Sequence, residues 1–152
     1  MRTILFAVVI PATVIVYVPW LLVERTAALP ADGAAWPIGV IVIVAGAALL
    51  VICWAGFIVD GQGTPAPYDP PRRLVTGALY RRVRNPIYLA LLVILIGEAI
   101  AFTSWALAAW LAIMAVSFHL VVVVYEEPDL RARFGGAYED YLRSVPRWIP
   151  RR

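Results

Sequence analysis

Tyr80-Arg81-Arg82-Val83-Arg84-Asn85-Pro86-Ile87-Tyr88 gathers three arginines, an Asn-Pro pair and two tyrosines directly before a long apolar run. Asn favours the position that caps a helix start, and Pro the first helical position. A helix opening at Pro86 presents unpaired backbone N–H groups and the positive end of its dipole. With Arg84 beside it, that helix start is a candidate site for an anionic group, because guanidinium and clustered N–H donors both match carboxylate or phosphate. Past the apolar run stand two adjacent acids, Glu126 and Glu127, and inside it the single histidine, His119. Imidazole and carboxylate are the groups that take a proton from a nucleophile, so His119 and Glu126 are the candidate bases. His119 has a second reading, as a hydrogen-bond partner between helices. One histidine and one cysteine, Cys53, leave nothing from which a His- or Cys-based metal site is built, and no disulfide within the chain. Neither a metal nor a nucleic acid is expected as a partner.

The elements that must position these groups are membrane helices. The 152 residues are 62% hydrophobic and 15% charged, whereas a soluble domain is roughly 45–50% apolar and about 25% charged. The expected fold is all-α: one domain over 1–152, with four spans at 4–23, 38–59, 87–102 and 105–125. The first two are uncharged runs of 20 and 22 residues, each enough to cross about 30 Å of hydrocarbon. Pro11 and Pro19 are expected to kink the first span. Its length, and the want of a small-residue cleavage signal, set it apart from a signal peptide. Gly46 and the alanines around it are expected to let the second span pack closely, with Cys53 a small core residue. The run 87–125 is too long for one crossing and is expected to turn at Thr103-Ser104.

The connection 60–86 is rich in Gly and Pro, which gives an irregular loop. Its Gly61-x-Gly63 is no dinucleotide fingerprint, since neither strand nor helix flanks it. The tail 126–152 is expected to open a short helix at Glu126-Glu127-Pro128, with Leu130, Phe134, Tyr138, Tyr141 and Val145 on one face and a break at Gly135-Gly136. Trp148 is expected as an interfacial anchor. All 13 basic residues are Arg, and Arg25 alone falls in an outer connection if both termini lie inside. The positive-inside rule therefore places both termini in the cytoplasm. Counting from the hairpin turn, His119 falls level with Tyr88, Glu126 with Arg81, and Glu127 with Tyr80. Glu98 lies well away from this mouth, and an acid inside a span is either functional or paired.

Tyr80-x-x-x-Arg84-Asn85-Pro86-Ile87-Tyr88, preceded by Gly77-Ala78-Leu79, resembles the Y-x-x-x-R-[HN]-P-x-Y part of the signature of the isoprenylcysteine carboxyl methyltransferases and the related phospholipid methyltransferases. Glu126-Glu127-x-x-Leu130-x-x-x-Phe134-Gly135-x-x-Tyr138-x-x-Tyr141-x-x-x-Val145-Pro146 resembles the tail of the same family in order and spacing. The two blocks cover about the last 80 residues, and the loop before them resembles that of bacterial members. The resemblance implies an integral membrane enzyme of the bacterial cytoplasmic membrane. It would use S-adenosylmethionine and take a lipophilic or lipid substrate from the bilayer. It also implies cofactor contacts at Arg72, Arg73, Leu74, Val75, Tyr80, Asn85, Pro86, Ile87, Tyr88 and Glu126, with Arg84 and Glu127 in the same two blocks. Asn85 stands where the eukaryotic carboxyl methyltransferases have His, and Val122 where they have Arg. The acceptor therefore stays open among an amine head group, a thiol, a hydroxyl and a carboxylate. Two other readings stand beside this one: an NADPH-dependent membrane reductase of the steroid-reductase type, and a four-span transporter with Glu98 as its coupling acid.

Overall fold

The computed structural model describes residues 9–61, 74 and 76–150. Arg72, Arg73 and Val75, three of the expected cofactor contacts, lie outside the described residues, as does the start of the first expected span. Among the described residues all regular structure is helical. Helix α1 runs Val9–Thr26, with a π-helical stretch at Thr13–Tyr17. Helix α2 is Ala35–Gly61. A 3₁₀ turn at Ala78–Arg81 leads to α3, Pro86–Phe102. Helix α4 runs unbroken from Trp105 to Phe134, with a second π-helical stretch at Val122–Glu126. Helix α5 is Gly136–Ser144.

Three of these helices, α1, α2 and α4, are long and apolar enough to cross a membrane, and α3 is apolar but shorter. The protein is an integral membrane protein. Its third and fourth apolar segments form the expected hairpin: α3 ends at Phe102, Thr103 takes a left-handed conformation (φ 44°), and α4 begins at Trp105. One expectation is modified. A short α-helix does open at Glu127 with Pro128 in its first turn, but no break separates it from the span before it, so it lies inside α4. Pro128 has no N–H and its ring crowds the carbonyl one turn back, which normally ends a helix. Here the wider π turn directly before it takes up the misfit, with Glu127 N–H bonded to Val122 O.

The same device works in α1, where a π stretch precedes Pro19. Val18 N–H bonds to Thr13 O, so the next donor in that register, due at Val14 O, falls on Pro19. The Trp110 indole of α4 supplies it instead, at 3.0 Å. An orphan carbonyl inside a bilayer costs several kcal/mol, so this bond ties α1 to α4.

The core of the bundle is the antiparallel contact of α2 with α3. A Cβ at Gly39 would lie 2.5 Å from Ala101 N, one at Gly97 would lie 2.7 Å from Gly39 O, and one at Gly46 would lie 2.7 Å from Ile94 Cγ1. The glycines let the two backbones meet directly, as expected for Gly46. Leu50, Ala90, Leu91, Ile94 and Phe118 form the buried cluster beside this seam, and Cys53 is buried nearby on α2.

Candidate active site

The site lies at the mouth of the bundle, where α3 begins. Pro86 opens α3 with Asn85 at the cap position, as expected, but the Asn85 side chain does not cap. Its amide donates instead to Arg147 O at 3.3 Å. The first-turn N–H groups of Ile87 and Tyr88 are therefore left without a side-chain cap. Above them Arg84 is largely buried. Its backbone N–H donates to Pro146 O at 2.9 Å and its Nη1 donates to Glu127 Oε1 at 2.8 Å. Its Nε is buried with no hydrogen-bond partner among the described residues.

The two acids of α4 face different ways, because successive residues of a helix point about 100° apart. Glu126 accepts the Tyr88 hydroxyl through Oε1. Glu127, 4% exposed, takes two bonds from Arg147, Nε at 2.7 Å and Nη2 at 3.0 Å, besides that from Arg84. A buried carboxylate held by two guanidiniums is satisfied both in charge and in lone pairs. The Tyr88 ring packs on Phe118 with centroids 4.7 Å apart. The expected depths thus hold at Phe118 and drift toward the mouth. Side chains on a helix lean toward its N-terminus, so Tyr88 leans outward and Glu126 leans inward, and they meet. Glu126 thus meets Tyr88, and Glu127 meets Arg84 and Arg147.

The tail folds over this mouth. Gly135 takes a positive φ of 52° and separates α5 from α4, which is the expected break. Tyr138, Tyr141 and Val145 then form a buried cluster with Leu74, Leu130, Phe134 and Leu142. The Tyr141 hydroxyl donates to Tyr80 O at 2.7 Å. Burial pushes that hydroxyl's pKa up, so it stays a neutral donor. Tyr80 is itself buried and packs against Ile87.

The structure therefore brings together Tyr80, Arg84, Asn85, Pro86, Ile87, Tyr88, Glu126 and Glu127, with Leu74 in the adjoining tail cluster. It does not bring His119 to Glu126: the His119 Nδ1 accepts the Trp148 indole N–H at 3.2 Å on the outer side of α4. Trp148, expected as an interfacial anchor, is half-buried. Its indole packs back against the buried cluster of α2, α3 and α4, because Pro146 and Arg147 are fastened to the mouth just before it. Arg147 was not foreseen as part of the site, and its only signal was the adjacent acid pair, one member of which needed a second cation. Glu98 lies toward the Thr103 end of α3, with Oε2 buried and unbonded among the described residues. Among the described residues no three His, Cys, Asp or Glu side chains gather as a metal would need.

This geometry can be set beside known proteins. The chain is 38% identical over 82 residues to methanethiol S-methyltransferase 2 of Bradyrhizobium diazoefficiens, a match covering 50% of this chain and 28% of that protein. It is 30% identical over 83 residues to protein-S-isoprenylcysteine O-methyltransferase A of Arabidopsis thaliana, covering 55% and 42%. It is 33% identical over 91 residues to methanethiol S-methyltransferase of Crocosphaera subtropica, covering 53% and 30%. The matched region thus spans less than half the length of each of these relatives. No solved structure matches the chain. Residues 38–137, which include the α2–α3 seam, Tyr80 to Tyr88 and both acids, match the phospholipid methyltransferase family, and the chain belongs to that family.

Proposed function

We propose that the protein is an S-adenosylmethionine-dependent methyltransferase acting on a lipophilic acceptor at the cytoplasmic face of a bacterial cytoplasmic membrane. The observation that carries this reading is the buried Nε of Arg84, without a partner among the described residues, beside the uncapped start of α3, with Glu126 facing them from α4. A zwitterionic cofactor fits that set. Arg84 and the Ile87 and Tyr88 N–H groups would hold its carboxylate, Glu126 its amino group, and the Tyr88 ring its sulfonium. The cofactor supplies a methyl group already activated by the sulfonium. The chain's own residues position and desolvate: the Tyr138–Tyr141–Val145 cluster covers the mouth, and Phe118 walls its inner side. Positioning of this kind supplies much of the acceleration for an in-line transfer.

Where the acceptor loses a proton, Glu126 is the base, and His119 serves the tail through Trp148. Both termini face the cytoplasm and α3 completes a four-span bundle. At 17 residues it is about 25 Å long, and its burial against α2 places it inside the bundle. The relatives' names offer acceptors from a small thiol to a prenylated cysteine carboxylate. Family membership supports methyl transfer over a reductase or a transporter. The test is transfer of tritiated methyl from S-adenosylmethionine, by protein in nanodiscs, to ethanethiol, a prenylcysteine and an ethanolamine phospholipid. Label in at least one product is expected; label in none overturns the reading.

A further inference from the structure

Among the described residues, every member of the apolar cluster around Phe118 comes from α1, α2, α3 or α4, except Trp148. Tyr88, whose hydroxyl meets Glu126, packs against that cluster. The indole is therefore the piece of the site's apolar wall that is carried by the tail and not by a membrane helix. Its position is set from both sides. Pro146 O and Arg147 O, immediately before it, accept hydrogen bonds from Arg84 and Asn85, and the Arg147 side chain is held by Glu127. On the far side His119 Nδ1 takes its N–H. The rings of His119 and Trp148 lie 6.3 Å apart. Within that wall the nearest α4 side chains toward the acids are apolar too: Phe118 is 9% exposed and Val122 is 1% exposed. An uncharged, apolar acceptor is what such a wall admits.

We propose that Trp148 closes the acceptor side of the site and limits the apolar group of the acceptor to a short one, with His119 as the residue that positions it. The inference rests on the methyl-transfer reading above. An indole packed against the buried cluster to which Phe118 belongs fills volume that a long chain would need, and a large side chain lost from such a wall opens room for several methylenes. His119 matters only through its acceptor nitrogen, so a residue that still accepts the indole N–H substitutes for it.

The test compares ethanethiol with octanethiol as acceptors in wild type, Trp148→Ala, Trp148→Phe, His119→Leu and His119→Gln. A binding arm without the cofactor titrates the same variants with ethyl methyl sulfide and octyl methyl sulfide. Wild type is expected to favour the short thiol. Trp148→Ala is expected to raise the long-to-short ratio of kcat/KM by about tenfold or more, the scale that one or two methylenes command in an apolar pocket. Trp148→Phe falls between, His119→Leu shifts the same way, and His119→Gln keeps the wild-type ratio. The sulfide affinities follow the same order. An unchanged ratio and unchanged sulfide affinities in Trp148→Ala and Trp148→Phe overturn the inference. A wild type that binds S-adenosylmethionine but labels neither thiol also overturns it, and leaves the cofactor reading standing. A wild type that binds no S-adenosylmethionine overturns both.

Discussion

Glu127 is the residue on which the mouth depends. It is buried, it belongs to α4, and besides Arg131 one turn on it pairs with two guanidiniums from other parts of the chain, Arg84 before α3 and Arg147 in the tail. One carboxylate therefore joins three segments remote in sequence. Removing one partner of a buried ion cluster leaves the others uncompensated, at a cost of about 3–5 kcal/mol. Glu127→Ala is accordingly expected to lower the thermal midpoint of the detergent-solubilised protein and to expose the 136–150 region to protease. An unchanged midpoint and cleavage pattern would show that the tail is held by its tyrosines alone. The residue types at this mouth were legible: Arg84, Asn85, Tyr88, Glu126 and Glu127 stand out as polar groups at the ends of apolar runs. Their pairing was not. Which acid meets Tyr88 and which meets arginine follows from the lean of side chains on two antiparallel helices and from the π turn at Val122–Glu126, neither of which leaves a residue pattern.

At the scale of elements, the helices were legible because charge-free runs of this length have few other folds, and the hairpin turn at Thr103-Ser104 followed from length alone. The continuation of α4 through Pro128 did not. A proline after two acids reads as a helix start, and the π turn that accommodates it inside a longer helix is a matter of backbone geometry. The contacts of Trp148 were hidden for a related reason: an aromatic near a charged terminus reads as an interfacial anchor, and its packing on the bundle follows from the bonds of Pro146 and Arg147 to the mouth. The α2–α3 seam carries the sharpest element-level expectation. A side chain at Gly97 would meet Gly39 O and Ile43 N, both at 2.7 Å, and backbone does not yield as a flexible side chain does. Gly97→Val is expected to destabilise the bundle by about 1–3 kcal/mol or more, read as a lower thermal midpoint. A midpoint equal to wild type would mean that the two helices separate without cost.

At the scale of the whole molecule, the arrangement is a bundle whose chemistry is gathered at one end. The arginines, the acid pair and the docked tail share the α3 start, and the opposite end holds the Thr103 turn and the Ala31 N–H bonded to Ala101 O at 2.7 Å. The proposed orientation rests on the arginine distribution. In a Cys53→Ala background, Thr103→Cys is expected to react with a membrane-impermeant maleimide added to intact cells, and Ser144→Cys only after permeabilisation. The reverse pattern would invert the topology and move the site to the other face. The central claim is that the mouth formed by Arg84, Tyr88 and Glu126 binds S-adenosylmethionine, and calorimetric titration of the purified protein with that compound tests it most directly. Wild type is expected to bind, and Tyr88→Ala and Glu126→Ala are each expected to bind about tenfold more weakly or worse, the scale of one lost hydrogen bond to a charged group. No binding by wild type, or binding undiminished in both variants, would contradict it.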